Sequence, residues 1–212
     1  MAKRARHSTS SKNWLLTPRS QRAAACLKHL LETDLHQQIR PWAIKDPRSS
    51  LLLPLWRQVA TELNLPLRLL LAFRDPAEVV TSLVTRDATA TGMTVARAQA
   101  LWLRHHQQLL TDAEDLPLKV VSYSRWFEAP KQQLQGLQRF CLVDGEDSTA
   151  ISQALDCIHP DYRRSQNNAQ TLSLNREVKR WHQHLERAAA GSEQTLQRWA
   201  ARQPPLAAAK PT

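Results

Sequence analysis

The sequence predicts an α/β fold, a P-loop-like three-layer domain built on a parallel sheet. Three observations predict it. The run Leu67 to Phe73 is almost continuously apolar, which suits a strand covered on both faces. Helix-start residues follow at once, from Asp75 to Glu78. Strand-like and helix-like segments then alternate down the chain, the pattern of parallel strands joined by helices.

Taken in order, residues 1–18 read as a disordered basic N-terminus, with Lys3, Arg4, Arg6 and Lys12. Ser20 to about Ile39 has apolar residues at Ala24, Leu27, Leu31 and Leu35, the spacing of a helix. Trp42 to Lys45 is a short strand candidate that ends in the charged turn Lys45-Asp46-Pro47-Arg48. Ser50 to Leu63 reads as a helix with Leu52, Leu55, Trp56 and Val59 turned inward. After the strand at Leu67–Phe73 comes a helix from Pro76 to about Thr85, then a polar loop through Gly92. Thr94 to Leu110 is a long amphipathic helix carrying Trp102, and Leu118 to Ser122 a further strand ending at Tyr123. Helices are expected over Pro130–Phe140 and Ser148–Ile158, a polar loop over Pro160–Leu172, and two surface helices over Leu174–Ala190 and Glu193–Ala201. One domain is therefore expected over residues 19–202, with a flexible Pro/Ala-rich tail from 203 to 212.

Composition limits the function. The chain has 212 residues, 42% of them hydrophobic, enough for a core. The net charge of +10 implies an anionic partner of some kind. No long basic block exists, which argues against nucleic acid. The three cysteines lie far apart, without metal-ligand spacing and in odd number, so neither a metal site nor a disulfide framework is expected. A reducing, cytoplasmic setting follows. The basic start is followed by no apolar segment of signal-peptide type, and no apolar run approaches the length of a membrane span. His105-His106 and His182-x-His184 lack a third ligand at metal spacing.

The chemistry concentrates at the corner after Phe73. Asp75 is a good N-cap, Pro76 suits the first helical position, and Glu78 completes a capping box. Arg74 stands where the strand becomes the helix. Free N–H groups, the helix dipole and a guanidinium then point the same way, which suits phosphate. Ser82, eight residues after Arg74, can add a hydroxyl. The plainer alternative is an arginine that merely starts a helix.

The ordered set of these pieces resembles the sulfotransferases that use 3′-phosphoadenosine 5′-phosphosulfate, in their bacterial branch. Lys45 in Trp42-Ala-Ile-Lys-Asp-Pro-Arg48 matches the lysine after that family's second core strand. The strand ending at Arg74, with Ser82, matches its 3′-phosphate motif. Trp102 matches a tryptophan on the next long helix, and Val120-Val-Ser-Tyr123 a strand ending in a tyrosine near the adenine. The resemblance spans roughly residues 40–145. It implies that Arg74 and Ser82 hold the 3′-phosphate and that Tyr123 lines the nucleoside pocket. Lys45 would stabilise charge on the leaving phosphate. Arg163 and Arg164 would close over the 3′-phosphate. The implied donor substrate is 3′-phosphoadenosine 5′-phosphosulfate, with no metal, and the acceptor is an unknown hydroxyl or amine.

Two departures bear on activity. The family's first strand carries a Ser-Gly-Thr type loop that cradles the phosphosulfate and needs glycine. Here the first glycine is Gly92, and the lookalike Arg6-His-Ser-Thr-Ser-Ser-Lys12 has none. The expectation is an N-terminally incomplete member, inactive alone or completed by an upstream segment, a complementing chain or a second copy. Pro47 stands where cytosolic members carry a histidine. Asp46 is the nearest carboxylate, read either as a proton acceptor or as a turn-stabilising aspartate. An alternative reading of the whole chain is a non-catalytic basic interaction protein that binds an acidic partner or RNA.

Overall fold

In the computed structural model, residues 13–37, 43–141, 148–159, 161 and 172–204 are described. They divide into two units, 1–67 and 68–212, where the sequence predicts one domain over 19–202.

The first unit is a helical pair. Helix α1 spans Pro18–Gln37 and α2 spans Ser49–Glu62. Ala24 and Leu31 of α1 pack with Leu55 and Val59 of α2, and Trp14, Leu15, Leu27 and Trp56 close around them. Residues 13–16, expected within a disordered start, form a 3-10 turn that delivers Trp14 and Leu15 to this cluster. Leu52, expected inward, is 38% exposed, and its neighbour Leu53 takes the buried position. Pro54 sits inside the helix and is itself buried. No strand forms over residues 43–46, which are irregular; Trp42 lies outside the described residues. Pro47 explains part of this, because it offers no N–H to a ladder.

The second unit holds the only sheet among the described residues, two parallel strands. Strand β1 spans Leu69–Phe73 and β2 spans Leu118–Ser122, paired in register from Leu69↔Leu118 to Phe73↔Ser122. The chain is thus mostly helical, an α/β protein with a small parallel sheet. Leu71 and Phe73 of β1 are buried, but Leu70 is 49% exposed and Ala72 is exposed too. Only one face of this strand is fully covered, against the expectation of two.

Helices α3 (Pro76–Thr91) and α4 (Val95–Asp112) make the crossover from β1 to β2 and pack on each other. Helix α3 continues through residues expected to be a loop. It stops at Gly92, whose φ of 62° allows the left-handed cap that donates to Ala88 O. The short α5 (Arg125–Glu128), absent from the sequence reading, follows β2 directly. Helices α6 (Pro130–Cys141) and α7 (Ser148–Asp156) come next.

Helix α8 (Arg176–Arg187) and α9 (Glu193–Ala200) are joined by a π-helical turn at Ala188–Ser192. Each is a surface helix with one buried face, and Glu177, Lys179, Arg180 and Arg187 are exposed. Val178, Trp181, Leu185, Leu196 and Ala200 are all buried. Gln99 of α4, buried inside, accepts from Asn175 N at 2.7 Å and so pins the start of α8. Gln197 donates to Ala113 O and Leu116 O at 2.8 and 3.0 Å, which pins α9 to the end of α4. These satisfied amides fix the helix register more tightly than apolar contact alone, because each buried donor left without a partner would cost stability.

Candidate functional site

The site lies at the carboxyl ends of the two strands, where parallel sheets place their ligands. Arg74 follows β1 and Tyr123 follows β2. The ladder runs one step further than the strands, since Tyr123 N donates to Phe73 O at 2.8 Å. That bond sets the two side chains together. The Arg74 guanidinium lies over the Tyr123 ring, 4.9 Å from its centre, a cation–π contact.

The cap at α3 differs from its sequence pattern. The Asp75 side chain accepts from Ala77 N at 2.7 Å, as an N-cap should. Glu78 does not close the capping box. Its carboxylate turns back to Arg74 and accepts from Nε, with 27% of the Arg74 side chain and 9% of the Glu78 side chain exposed. Burial decides this: a carboxylate so covered needs a full counter-charge more than it needs one backbone N–H. Arg74 Nη2 is left buried with no hydrogen-bond partner among the described residues.

A cavity of about 200 Å³ opens against these residues. Arg74 and Tyr123 line one side, with Ser124 beside them. Asp75, Glu78, Glu128 and Glu186 bring four carboxylates, and His182 of α8 completes the wall. This space is smaller than a whole nucleotide needs and matches a phosphate-sized or amine-sized group. A second, more open cavity of about 330 Å³ adjoins it and shares Ser124, Glu128 and Glu186. Gln132 and Gln133 of α6 and Arg125 line that part.

The wall between the cavities is held by a polar chain. Ser122, buried at 2% exposure, donates from Oγ to Glu186 Oε1 at 3.2 Å and lies 3.0 Å from Ser124 Oγ. Arg125 Nη2 stands 3.7 Å from Glu186 Oε2. His182 Nε2, one turn earlier on α8, lies 3.5 Å from Glu186 Oε1. Phe73 meets the His182 ring edge-on at 5.8 Å between centres. Behind it stands His106 of α4, whose Nδ1–H donates to Trp102 O at 2.8 Å. Burial holds His106 well below its usual value, at about 4, so it is neutral near neutral pH.

The residues expected at the site fall in several places. Arg74 and Tyr123 come together as described. Ser82 is exposed on α3 and does not line either cavity. Trp102 is buried in the core of the second unit, stacked at a tilt on His106 with 4.1 Å between ring centres. Lys45 and Asp46 belong to the first unit; Lys45 is exposed. Asp46 accepts from Arg48 Nε and Nη2, at 3.0 and 2.6 Å, and from Arg48 N at 2.8 Å. Those hydrogen bonds from Arg48 pull its carboxyl down to about 2. A carboxylate so stabilised is a weak proton acceptor, and the arrangement is that of a turn staple. Arg163 and Arg164 lie outside the described residues.

Sequence reasoning missed Glu128, His182 and Glu186. His182 and Glu186 carried a signal, a spacing of four that places both on one helical face. Nothing in the sequence said which face turned toward β2. Among the described residues no cluster of histidine, cysteine and carboxylate could hold a metal ion, and no helix is long and apolar enough to cross a membrane.

Comparison with family models, with curated proteins and with solved structures finds no match to this chain.

Proposed function

We propose that this chain is a protein of sulfotransferase type whose second unit recognises the 3′-phosphate side of 3′-phosphoadenosine 5′-phosphosulfate. One observation carries the reading. Arg74 and Tyr123 follow adjacent parallel strands and meet beside a capped helix N-terminus. A phosphate would draw the guanidinium away from Glu78 and bond its Nη2, which is buried and makes no hydrogen bond among the described residues, and the tyrosine ring would face the base. In this reading the two strands belong to a larger parallel sheet of P-loop-like, three-layer type. The open side of β1, with Leu70 and Ala72 exposed, is where further structure would pack. The reaction is transfer of a sulfuryl group to an acceptor hydroxyl or amine, provided a glycine loop for the phosphosulfate is supplied by another segment or chain.

The four carboxylates around the cavity work against any anion, and they make a sharp test. Adenosine 3′,5′-bisphosphate is titrated into the folded chain by calorimetry, with adenosine 5′-monophosphate as control. The bisphosphate should bind more tightly. The double variant Arg74→Gln/Glu78→Gln should abolish that preference without leaving a buried charge. Glu78→Gln alone should tighten binding about tenfold, since it frees Arg74 and removes a repelling charge. Failure of the folded chain to bind removes the reading. Binding that falls steeply with salt and ignores the double variant would instead favour a basic interaction protein for RNA or an acidic partner.

A further inference from the structure

We infer that the cavity takes its phosphate with one proton still on it, and that Glu78 is the residue that selects this form and rejects sulfate. The inference rests on the sulfotransferase-type reading of the site and deepens it, since it says which end of the donor the cavity admits.

A site for a fully ionised phosphate would surround it with donors. This one sets Arg74 against four carboxylates, Asp75, Glu78, Glu128 and Glu186. An ionised carboxylate can only accept a hydrogen bond, so it needs a ligand that brings a proton. Glu78 is the best placed of the four. It accepts from Arg74 Nε, on the same guanidinium whose buried Nη2 makes no hydrogen bond among the described residues. It accepts no second hydrogen bond among the described residues, and at 7% exposure its charge is little screened by water. Asp75 is exposed and already accepts from Ala77 N. Glu186 accepts from Ser122 Oγ and has Arg125 at 3.7 Å, and Glu128 is exposed.

A phosphate held by Arg74 Nη2 therefore meets a donor and an acceptor side by side. If it is fully ionised, its oxygens are repelled by Glu78. If one oxygen carries a proton, that oxygen donates to Glu78 and the repulsion becomes a charge-assisted hydrogen bond. A phosphate monoester holds its second proton with a pKa of about 6, so this form is present near neutral pH. Sulfate holds no proton there. It would leave the buried acceptor unpaired, which is the strong kind of discrimination. The donor has two anionic ends, and only its 3′-phosphate has a proton to give; neither the sulfuryl group nor the phosphate that carries it does. The cavity thus admits the 3′ end and turns the 5′ end away, which fixes how the donor lies.

Other titratable groups face the same space. From the corner of β1 and α3 come Arg74 and Asp75, from the end of β2 Tyr123, from α5 Glu128 with Arg125 near Glu186, and from α8 His182 and Glu186. His106 stands behind, uncharged near neutral pH. His182 is the one that could imitate the effect, because a histidine that gained a proton would also favour anions at lower pH. It would favour phosphate and sulfate alike, however, and that separates the two cases.

The test binds labelled adenosine 3′,5′-bisphosphate to the native chain at about pH 6, 7 and 8 and constant ionic strength, with inorganic phosphate and inorganic sulfate as competitors. Binding should weaken about tenfold from the middle pH to the highest, as the singly charged phosphate becomes scarce. Calorimetry in buffers of different ionisation heat should show about one proton taken up at the highest pH. Phosphate should displace the label at roughly a tenth of the sulfate concentration or less. Glu78→Gln should flatten the pH dependence and admit sulfate, because an amide is uncharged and can donate as well as accept. His182→Gln should leave both features in place. The native chain alone decides if Glu78→Gln does not fold: bisphosphate binding that ignores pH, or sulfate that competes as well as phosphate, overturns the inference and leaves the nucleotide reading standing. A pH dependence that His182→Gln removes assigns the proton to the histidine and overturns it too. A folded chain that binds no bisphosphate removes the nucleotide reading, and this inference with it.

Discussion

Two arginine–carboxylate pairs, one in each unit, have the same chemistry and opposite settings. Arg48 and Asp46 lie two residues apart on a turn, with 82% and 29% of their side chains exposed. Arg74 and Glu78 lie one helical turn apart, with 27% and 9% exposed. The first pair is bidentate, and by contact geometry alone it looks the stronger. Setting reverses that order. Water already solvates the ions of the exposed pair and competes for every bond it makes. The buried pair has given up that solvation, so each partner depends on the other. It also carries what the exposed pair lacks, an aromatic face and a cavity. The number of hydrogen bonds is therefore a poor guide to which arginine matters, and what surrounds the carboxylate is a better one.

Removing one partner of the buried pair should give the largest effect. Arg74→Ala leaves the Glu78 carboxylate covered and without its cation. The cost should be about 2–3 kcal/mol, reduced from a fully buried case because part of Arg74 reaches water. Urea unfolding reads it as a lower midpoint at unchanged slope. The double variant Arg74→Leu/Glu78→Leu should regain most of that loss, because desolvation of both ions is no longer required. Equal loss in single and double variants would mean that the pair matters through packing rather than charge.

The neighbouring histidine should give a smaller, pH-dependent effect. His106 is held at about 4 in the fold, against about 6.5 in an unfolded chain. The unfolded state then binds more protons throughout that window, so stability rises with pH across it. The contribution is full above the unfolded value and is lost as pH falls toward 4. Unfolding midpoints measured at neutral pH and at mildly acid pH should diverge in the native chain. His106→Phe, which can keep the stacking on Trp102, should narrow the gap. An unchanged gap would place the acid sensitivity elsewhere.

The two units also differ in how much of them was legible. In the second unit both strands, the cap at Asp75 and most helices were readable, because apolar runs and capping residues are local signals. The join of Arg74 to Tyr123 was readable only through a resemblance, since nothing local tells residue 74 that residue 123 is its neighbour. Glu78 shows the limit well. Its spacing from Asp75 spells a capping box, but burial turned it to Arg74, and burial is not local. The acidic wall was hidden for the same reason. Glu128 and Glu186 look like solvated helix faces until α5 and α8 fold against the strand ends. In the first unit the helices were legible from their period, but Leu52 and Leu53 exchanged places, because an unbroken apolar run does not say which residue faces in.

The exposed pair should give the smallest effect, and that smallness is what the comparison requires. Asp46 binds Arg48 through three nitrogens, and Ser49 N adds a turn bond to Asp46 O at 3.0 Å. Asp46→Ala removes the side-chain bonds and keeps the backbone one. Its unfolding midpoint should move by a small fraction of the Arg74→Ala shift, and the difference from the native chain should shrink further in high salt. Asp46→Asn keeps the acceptor for Arg48 N without the charge, so it separates turn geometry from ion pairing. If Asn restores the midpoint, the turn bond is what stability uses. If Asp46→Ala proves as costly as Arg74→Ala, solvent exposure does not rank these pairs, and the inference that burial makes Arg74 the functional arginine loses its physical basis.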